Sequence, residues 1–316
     1  MASIEQQSNP GKTIVFVHGR GRKPDPQTLE SIWAEGLRAG VERDYAKSGE
    51  LAAFNDVNLS LAYYGDLTNE RRKDRTPAYD EALDVADLNN TLQTLKALGS
   101  AKKFRRGGYE GLPGRSSLKE FLADVGAPIL SSLRLTEVAL AKRMPELAAY
   151  WNDDGAFAQV ARQRVRERLR EAFAREDDVL VLSHCLGSVI TYDALWELTN
   201  VEGLPNKVTG WITFGSPLGD EFVKRHLRGA DKSGAERYPA NILNWNNIAA
   251  EDDFTCHDET VANDFAPMLQ HRLISRIQDY RIYNLAVRYG KSNPHNFIGY
   301  LMHPRMTKLV AQWLAT

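Results

Sequence analysis

Cysteine is scarce in this chain of 316 residues, which contains only Cys185 and Cys256. Two thiols do not make the disulfide framework of a small secreted protein, so a reducing compartment is expected. Long apolar runs are also missing, since no continuous apolar stretch approaches the length of roughly 18 residues that a transmembrane helix needs. The polar stretch from Met1 to Lys12 has no apolar segment of the kind found in signal peptides. The sequence therefore predicts a cytoplasmic protein without stable membrane insertion.

An excess of charge of either sign is missing too. The 41 acidic residues nearly cancel the 40 basic residues, which gives a formal net charge of −1. Nucleic-acid-binding domains usually carry a basic excess, so no nucleic-acid partner is predicted. No cofactor or metal is expected: GRGR at 19–22 lacks the lysine and hydroxyl of a phosphate-binding loop, and Cys256-His257-Asp258 has no second cluster at zinc-like spacing. The sequence leaves the oligomeric state open.

The chain does contain an alternation of apolar strands and amphipathic helices. Strands are predicted at 13–17, 57–64, 179–182, 208–214, 242–248 and 281–287. Helices are predicted at 27–47, 186–199 and 304–314, among others. This order predicts βαβ units, and hence an α/β fold with a mainly parallel central sheet flanked by helices. Residues 66–151 match no core element, and the basic, glycine-rich stretch at 102–117 is interpreted as a linker or a loop tip.

The most informative segment is VLVLSHCLGSVITYDAL, at residues 179–195. Apolar strand residues precede a tight turn, and an amphipathic helix follows it, which is the context of a nucleophile elbow. Small residues at Ser183 and Gly187 let strand and helix approach each other around Cys185. The N-terminus of the following helix would favour a thiolate at Cys185. The alternative to a nucleophile is that Cys185 is a buried residue that only packs against its neighbours in the core.

These residues resemble the α/β-hydrolase superfamily, in particular its bacterial esterase- and lipase-like members, with a cysteine where the nucleophile is usually serine. The resemblance implies an α/β-hydrolase core formed by residues 1–65 and 152–316. It implies a helical cap insertion at 66–151, whose apolar residues between 118 and 150 could line an acyl pocket. Cys185 is then either a native nucleophile or an engineered replacement of serine.

The resemblance also implies an acid after a late strand and a histidine before the last helix, in the order nucleophile, acid, histidine. Asp253, in the segment AAEDDF, is the predicted acid, with Asp252 and Asp220 as alternatives. His295, in the loop after the last strand, is the predicted histidine. It is favoured over His303, which stands directly before the terminal helix.

Two backbone N–H groups are expected to form an oxyanion hole. The first belongs to Leu186, and the second to Arg20 or Gly19 in the loop after the first strand. The implied reaction is the hydrolysis of a carboxylic ester, a small-molecule acyl substrate of lipid-like or other apolar character, through a thioester on Cys185. A thiol-dependent acyltransferase and a non-catalytic interaction protein are the alternatives.

Overall fold

A parallel sheet forms the centre of the molecule in the computed structural model, which describes residues 11–71, 79–114, 145–152, 156–253, 255–256 and 260–316. Within these residues the sheet has six strands: β1 (Lys12–Val17), β2 (Asn58–Ala62), β3 (Asp178–His184), β4 (Val208–Phe214), β5 (Ile242–Ala250) and β6 (Arg276–Ile282). Their order in space is β2-β1-β3-β4-β5-β6, and every neighbouring pair is parallel. The predicted α/β fold with a parallel sheet is confirmed.

Alternate residues of the central strands enter two separate hydrophobic cores, because successive side chains of a strand point to opposite faces. In β1, Val15 and Val17 belong to one core, whereas Ile14 and Phe16 belong to the other. All four side chains are fully buried. This burial on both faces explains why the strand is a continuous apolar run in the sequence.

Helices cover both faces of the sheet. In the described parts of the chain they are α1 (Pro26–Tyr45), α2 (Gly49–Asn55), α3 (Gly65–Arg71), α4 (Glu81–Lys96), α5 (Arg106–Glu110), α6 (Pro145–Asn152), α7 (Ala156–Ala174), α8 (Leu186–Asn200), α9 (Glu221–His226), α10 (Val261–Asp264), α11 (Ala266–Gln270), α12 (Phe297–Leu301) and α13 (Pro304–Leu314). Short 3₁₀ helices lie at Ala101–Lys103 and Gly234–Arg237, and β7 (Val287–Arg288) pairs antiparallel with β8 (Lys291–Ser292). Within the described ranges, no helix combines the length and the apolar character that crossing a bilayer requires.

The last strand of the sheet lies five residues earlier than predicted. It occupies Arg276–Ile282, not 281–287. This edge strand reads RIQDYRI, and only Ile277 and Ile282 in it are buried, so it lacks the apolar signal of a central strand. The buried residues Leu285 and Ala286 extend the apolar pattern beyond the strand into a loop, which displaced the prediction.

The basic, glycine-rich stretch is ordered rather than a linker where the structure describes it. Residues 101–114 contain a 3₁₀ helix and α5, and Tyr109 of α5 is buried. The prediction of a linker is therefore wrong for 102–114, whereas residues 111–114 form a largely exposed turn, as the loop-tip alternative expects. Residues 115–117, and 118–144 of the predicted cap, lie outside the described residues. The division into a core and a cap at 66–151 stays a prediction.

Candidate active site

Cys185 occupies the sharp turn between β3 and α8. Its backbone has φ 54° and ψ −124°, a left-handed conformation that is uncommon for a residue with a side chain. A Cβ atom at position 187 would lie 2.4 Å from the carbonyl oxygen of His18 and 2.6 Å from that of Val17, so only glycine fits there. The turn thus holds the buried thiol at the carboxyl end of β3, beside the loop that follows β1.

Next to this turn, the half-buried His295 pairs with the buried Asp253. Asp253 follows the end of β5, and His295 precedes α12. The His295 Nδ1 atom lies 2.9 Å from both carboxylate oxygens of Asp253. The hydroxyl of Tyr300 donates to Asp253 Oδ2 at 2.6 Å, and the Thr255 N–H donates to Oδ1 at 3.0 Å. The carboxylate is fully enclosed by donors, and it orients the imidazole.

The alternative acids and the alternative histidine lie elsewhere. Asp252 accepts a hydrogen bond from the hydroxyl of Tyr109 at 2.7 Å. Asp220 caps α9, where it accepts from two backbone N–H groups of the first turn. His303 caps α13 in the same way. Of the three candidate acids, Asp253 is the one in contact with His295.

The thiol, the imidazole and the carboxylate are electrostatically coupled. Burial raises the pKa of the Cys185 thiol, but the charge of His295 and the backbone N–H of Arg20 outweigh it, so the pKa lies below its usual value. Burial lowers the pKa of His295, yet the Asp253 carboxylate and Cys185 raise it to about 10. Burial opposes ionisation of Asp253, but His295 and Tyr300 hold its pKa well below the usual range. The site favours a thiolate–imidazolium pair.

The His295 Nε2 atom faces the thiol without a hydrogen bond of normal geometry. The atom is buried and has no hydrogen bond of normal geometry among the described residues. The contact with Cys185 nevertheless lowers the pKa of the thiol and raises that of the imidazole. Hydrogen bonds of this kind are often long in a free enzyme and shorten when a substrate binds.

The loop after β1 brings the predicted oxyanion donors to Cys185. The backbone N–H of Arg20 interacts with the Cys185 sulfur. A Cβ atom at Gly19 would lie 2.8 Å from the Cβ of Cys185, so this loop can approach the turn only because residue 19 is glycine. Leu186, the third predicted donor, is the first residue of α8. The structure thus brings these three residues together around the turn, and their role stays a prediction.

Two further side chains contact the pair and were not predicted as parts of the site. Tyr300 donates to Asp253 and accepts from the Ala250 N–H at 3.0 Å, which fixes its hydroxyl between strand and acid. His184 lies with Nε2 3.1 Å from the carbonyl oxygen of His295, and the two rings are 4.6 Å apart. Burial and the charge of His295 hold the pKa of His184 well below its usual value, so His184 is neutral. No local sequence signal marks Tyr300.

A cavity of about 170 Å³ adjoins His295. Its walls come from the loop after β1, from α1 and α4, and from the segment before α12. Apolar side chains such as Trp33, Leu88 and Phe297 line it together with basic ones. In the part of the chain that the structure describes, no three His, Cys, Asp or Glu side chains are grouped as a metal site would be.

No protein-family model, curated protein or solved structure matches this chain. The function is therefore inferred from the geometry of the site.

Proposed function

We propose that this protein is an α/β-hydrolase that cleaves carboxylic esters with Cys185 as the nucleophile. The observation that carries the proposal is a buried thiol on a left-handed strand-to-helix turn that shares a site with the His295–Asp253 pair. The chain order nucleophile, acid, histidine supports it, because this order is the one that α/β-hydrolases use. The parallel sheet is compatible with that fold.

The first half of the proposed reaction forms a thioester. The thiolate of Cys185 attacks the ester carbonyl carbon, and the negative charge on the carbonyl oxygen is stabilised by the N–H groups of Arg20 and Leu186. The C–O bond to the alcohol then breaks. The imidazolium of His295 gives its proton to the departing alkoxide, so the alcohol leaves neutral and His295 becomes a base.

The second half consumes water. Neutral His295 takes a proton from a water molecule, and the resulting hydroxide attacks the thioester carbonyl. The C–S bond breaks, the carboxylic acid leaves, and Cys185 returns as a thiolate beside protonated His295. Asp253 stays ionised throughout and stabilises the imidazolium, as the acid of a hydrolase triad does.

Intact-mass spectrometry during incubation with short- and long-chain 4-nitrophenyl esters tests this proposal. We expect release of nitrophenol at many equivalents per protein molecule, and no acylation or release above background in Cys185→Ala. Cys256→Ala is the matched control, since it removes the other thiol, and we expect it to keep its turnover.

The same measurement separates the alternatives. A stable acyl adduct on Cys185 without turnover would instead support a thiol-dependent acyltransferase. A large gain of turnover in Cys185→Ser would point to a serine enzyme whose nucleophile has been replaced. The absence of both adduct and turnover would contradict an enzyme and leave a non-catalytic interaction protein.

A further inference from the structure

The cavity beside His295 has an unbalanced set of charges. Apart from His295, which is paired with Asp253, the described residues that line it include four cationic side chains, Arg20, Arg22, Lys23 and Arg288, and one carboxylate, Asp84. A small cavity that is lined mainly by charges of one sign has a strong electrostatic potential of that sign, because its low-dielectric walls screen those charges little. The cavity therefore favours an anion, provided that its cations are not already neutralised.

The carboxylate in the cavity wall is engaged with one of the four cations. Arg288 Nη2 lies 2.6 Å from Asp84 Oδ1, and Arg288 Nε pairs with Asp87. Tyr79 and Tyr289 also donate their hydroxyls to Asp84, at 3.0 and 3.1 Å. Arg288 and Asp84 thus cancel each other. The remaining charge of the cavity comes from the loop after β1.

Lys23, Arg20 and Arg22 carry that remaining charge, and the Arg22 guanidinium lies 5.6 Å from the centre of the Tyr79 ring. The Lys23 ammonium donates to the carbonyl oxygens of Arg20, Gly21 and Arg22, at 2.6, 3.2 and 3.3 Å. Carbonyl groups orient the ammonium, but they do not cancel its charge. Neither Lys23 nor Arg20 forms a direct ion pair with a carboxylate in the described ranges, although Cys185, Glu146 and Asp84 act on the Lys23 ammonium from a longer distance and raise its pKa. Burial lowers the pKa of Lys23 to about 8, so the ammonium is partly stripped of water and still charged at pH 7.

The cavity residues also contain buried hydrogen-bond donors that lack an acceptor. Within the described part of the chain, neither the Arg20 Nε–H nor the indole N–H of Trp33 has a partner. Trp33 is fully buried, and both residues line the cavity. An unpaired buried donor is costly, so such groups usually bind an acceptor, and a charged acceptor binds best.

We infer that the substrate of this site is an ester that carries an anionic oxygen group, a carboxylate or a phosphate, which binds in this cavity with hydrogen bonds from Arg20 and Trp33 and is attracted by the charge of Lys23. The inference rests on the proposed function, because it places the anion beside the carbonyl that Cys185 attacks. A neutral apolar acyl chain would leave the cavity donors unpaired. The substrate class therefore differs from the apolar acyl esters that the resemblance implies.

Matched pairs of substrates test this inference. The mono-4-nitrophenyl esters of succinate, glutarate and adipate are compared with the nitrophenyl esters of butyrate, pentanoate and hexanoate, at constant ionic strength and with the uncatalysed rate subtracted. We expect kcat/KM to favour an anionic ester over its neutral match by about 10- to 100-fold, mostly through KM, as one or two charged hydrogen bonds would give.

Variants at Arg20 and Lys23 test whether these two side chains cause the preference for anionic esters. Arg20→Gln keeps the backbone N–H, and Lys23→Gln removes the ammonium; in both we expect the ratio of anionic to neutral kcat/KM to fall towards one. Arg168→Gln is the matched control, because it removes the same charge from the exposed surface of α7 and should keep the wild-type ratio. Wild-type protein gives a second measurement, competitive inhibition by glutarate or inorganic phosphate but not by 1,5-pentanediol.

Each result supports or overturns the inference. Inhibition by glutarate alone would indicate a carboxylate, inhibition by phosphate alone a phosphate group, and inhibition by neither would overturn the inference. Equal turnover of neutral and anionic esters would overturn the inference and leave the proposed function standing. Equal losses for both substrates in the variants would also overturn it, because the cations would then act on the thiolate. No turnover of any ester would overturn the proposed function as well.

Discussion

Two buried aspartates, Asp253 in the candidate site and Asp193 on α8, have almost the same surroundings. Their exposed fractions are 5% and 2%. Each accepts one tyrosine hydroxyl, from Tyr300 at 2.6 Å and from Tyr150 at 2.8 Å, and one backbone N–H at 3.0 and 2.8 Å. They differ in one contact, because only Asp253 touches an imidazole.

That single contact reverses the effect of burial. Burial raises the pKa of Asp193 to about 6, against the weaker effects of the Arg228 N–H and the Tyr150 hydroxyl. Burial acts in the same direction on Asp253, yet the charge of His295 outweighs it. The charges of Arg162 and Arg228 lower the pKa of Asp193 only weakly, and both arginines pair with Glu197, at 2.8 and 3.4 Å. The comparison shows that a cationic partner, and not burial, separates the acid of the site from an acid of the core.

The largest expected difference between the two aspartates concerns activity. In Asp253→Asn, a neutral amide would neither stabilise the imidazolium nor enforce its tautomer, so we expect ester turnover to fall by about 10³- to 10⁴-fold. In Asp193→Asn, the amide replaces a carboxylate of similar shape that contacts no reacting group, so kcat/KM should stay near the wild-type value. Steady-state kinetics with a nitrophenyl ester measures both.

Circular dichroism and thermal unfolding of both variants provide the control for this comparison. Loss of activity in Asp253→Asn counts only if the variant remains folded at the assay temperature. Equal activity in the two variants would remove the distinction between the aspartates, and with it the triad.

The second expected difference concerns stability as a function of pH. The pKa of Asp193 is about 6 in the folded protein and near 3.8 in the unfolded chain. A folded state with the higher pKa binds more protons, so Asp193 costs stability as the pH rises from about 4 to 6, by up to about 3 kcal/mol. The free energy of unfolding of the wild-type protein, measured relative to that of Asp193→Asn, should therefore fall over this pH interval and stay constant above it.

Urea unfolding at pH 4.5 and pH 6 measures this effect. The Asp253→Asn variant serves as the opposite case. Asp253 has a lowered pKa in the folded protein, so it contributes stability that is lost only as the pH falls below about 4. His295 has a raised pKa of about 10, so it contributes stability that is lost only as the pH rises above about 6.5. The difference in the free energy of unfolding between Asp253→Asn and the wild-type protein should thus stay constant between pH 4.5 and 6. If the difference in the free energy of unfolding between Asp193→Asn and the wild-type protein is also constant, the raised pKa of Asp193 is contradicted.

The sequence predicted the fold where its signals are local. The elbow around Cys185 was found because strand, turn and helix are adjacent in the chain, and β4 (Val208–Phe214) and α13 (Pro304–Leu314) have the predicted bounds. Prediction failed at the edge of the sheet and at α5, where a single buried residue, Tyr109, replaces an apolar stripe. Elements that bury few side chains leave little periodicity to detect.

The candidate site was predictable only as far as chain order constrains it. Cys185 and Asp253 each follow a strand of one parallel sheet, and the carboxyl ends of such strands lie at one edge, whereas His295 comes later, after the antiparallel pair β7–β8. Tyr300 and Trp33 carry no comparable mark, because an aromatic residue in an apolar helix usually belongs to the core. Their contacts with the acid and with the cavity arise only when the helices pack.

The smallest expected effect separates Tyr300 from other buried tyrosines. Tyr300→Phe removes the hydroxyl that donates to Asp253, so the acid keeps its charge but loses one restraint on its position. We expect kcat to fall by about three- to tenfold with little change in KM, since one hydrogen bond to a charged group contributes about 1 kcal/mol to positioning. Tyr192→Phe is the matched control, because Tyr192 is also buried and its hydroxyl donates to the carbonyl oxygen of Arg237 at 3.4 Å, away from the site. Similar losses of kcat in both variants would mean that Tyr300 acts through general stability and does not position the acid.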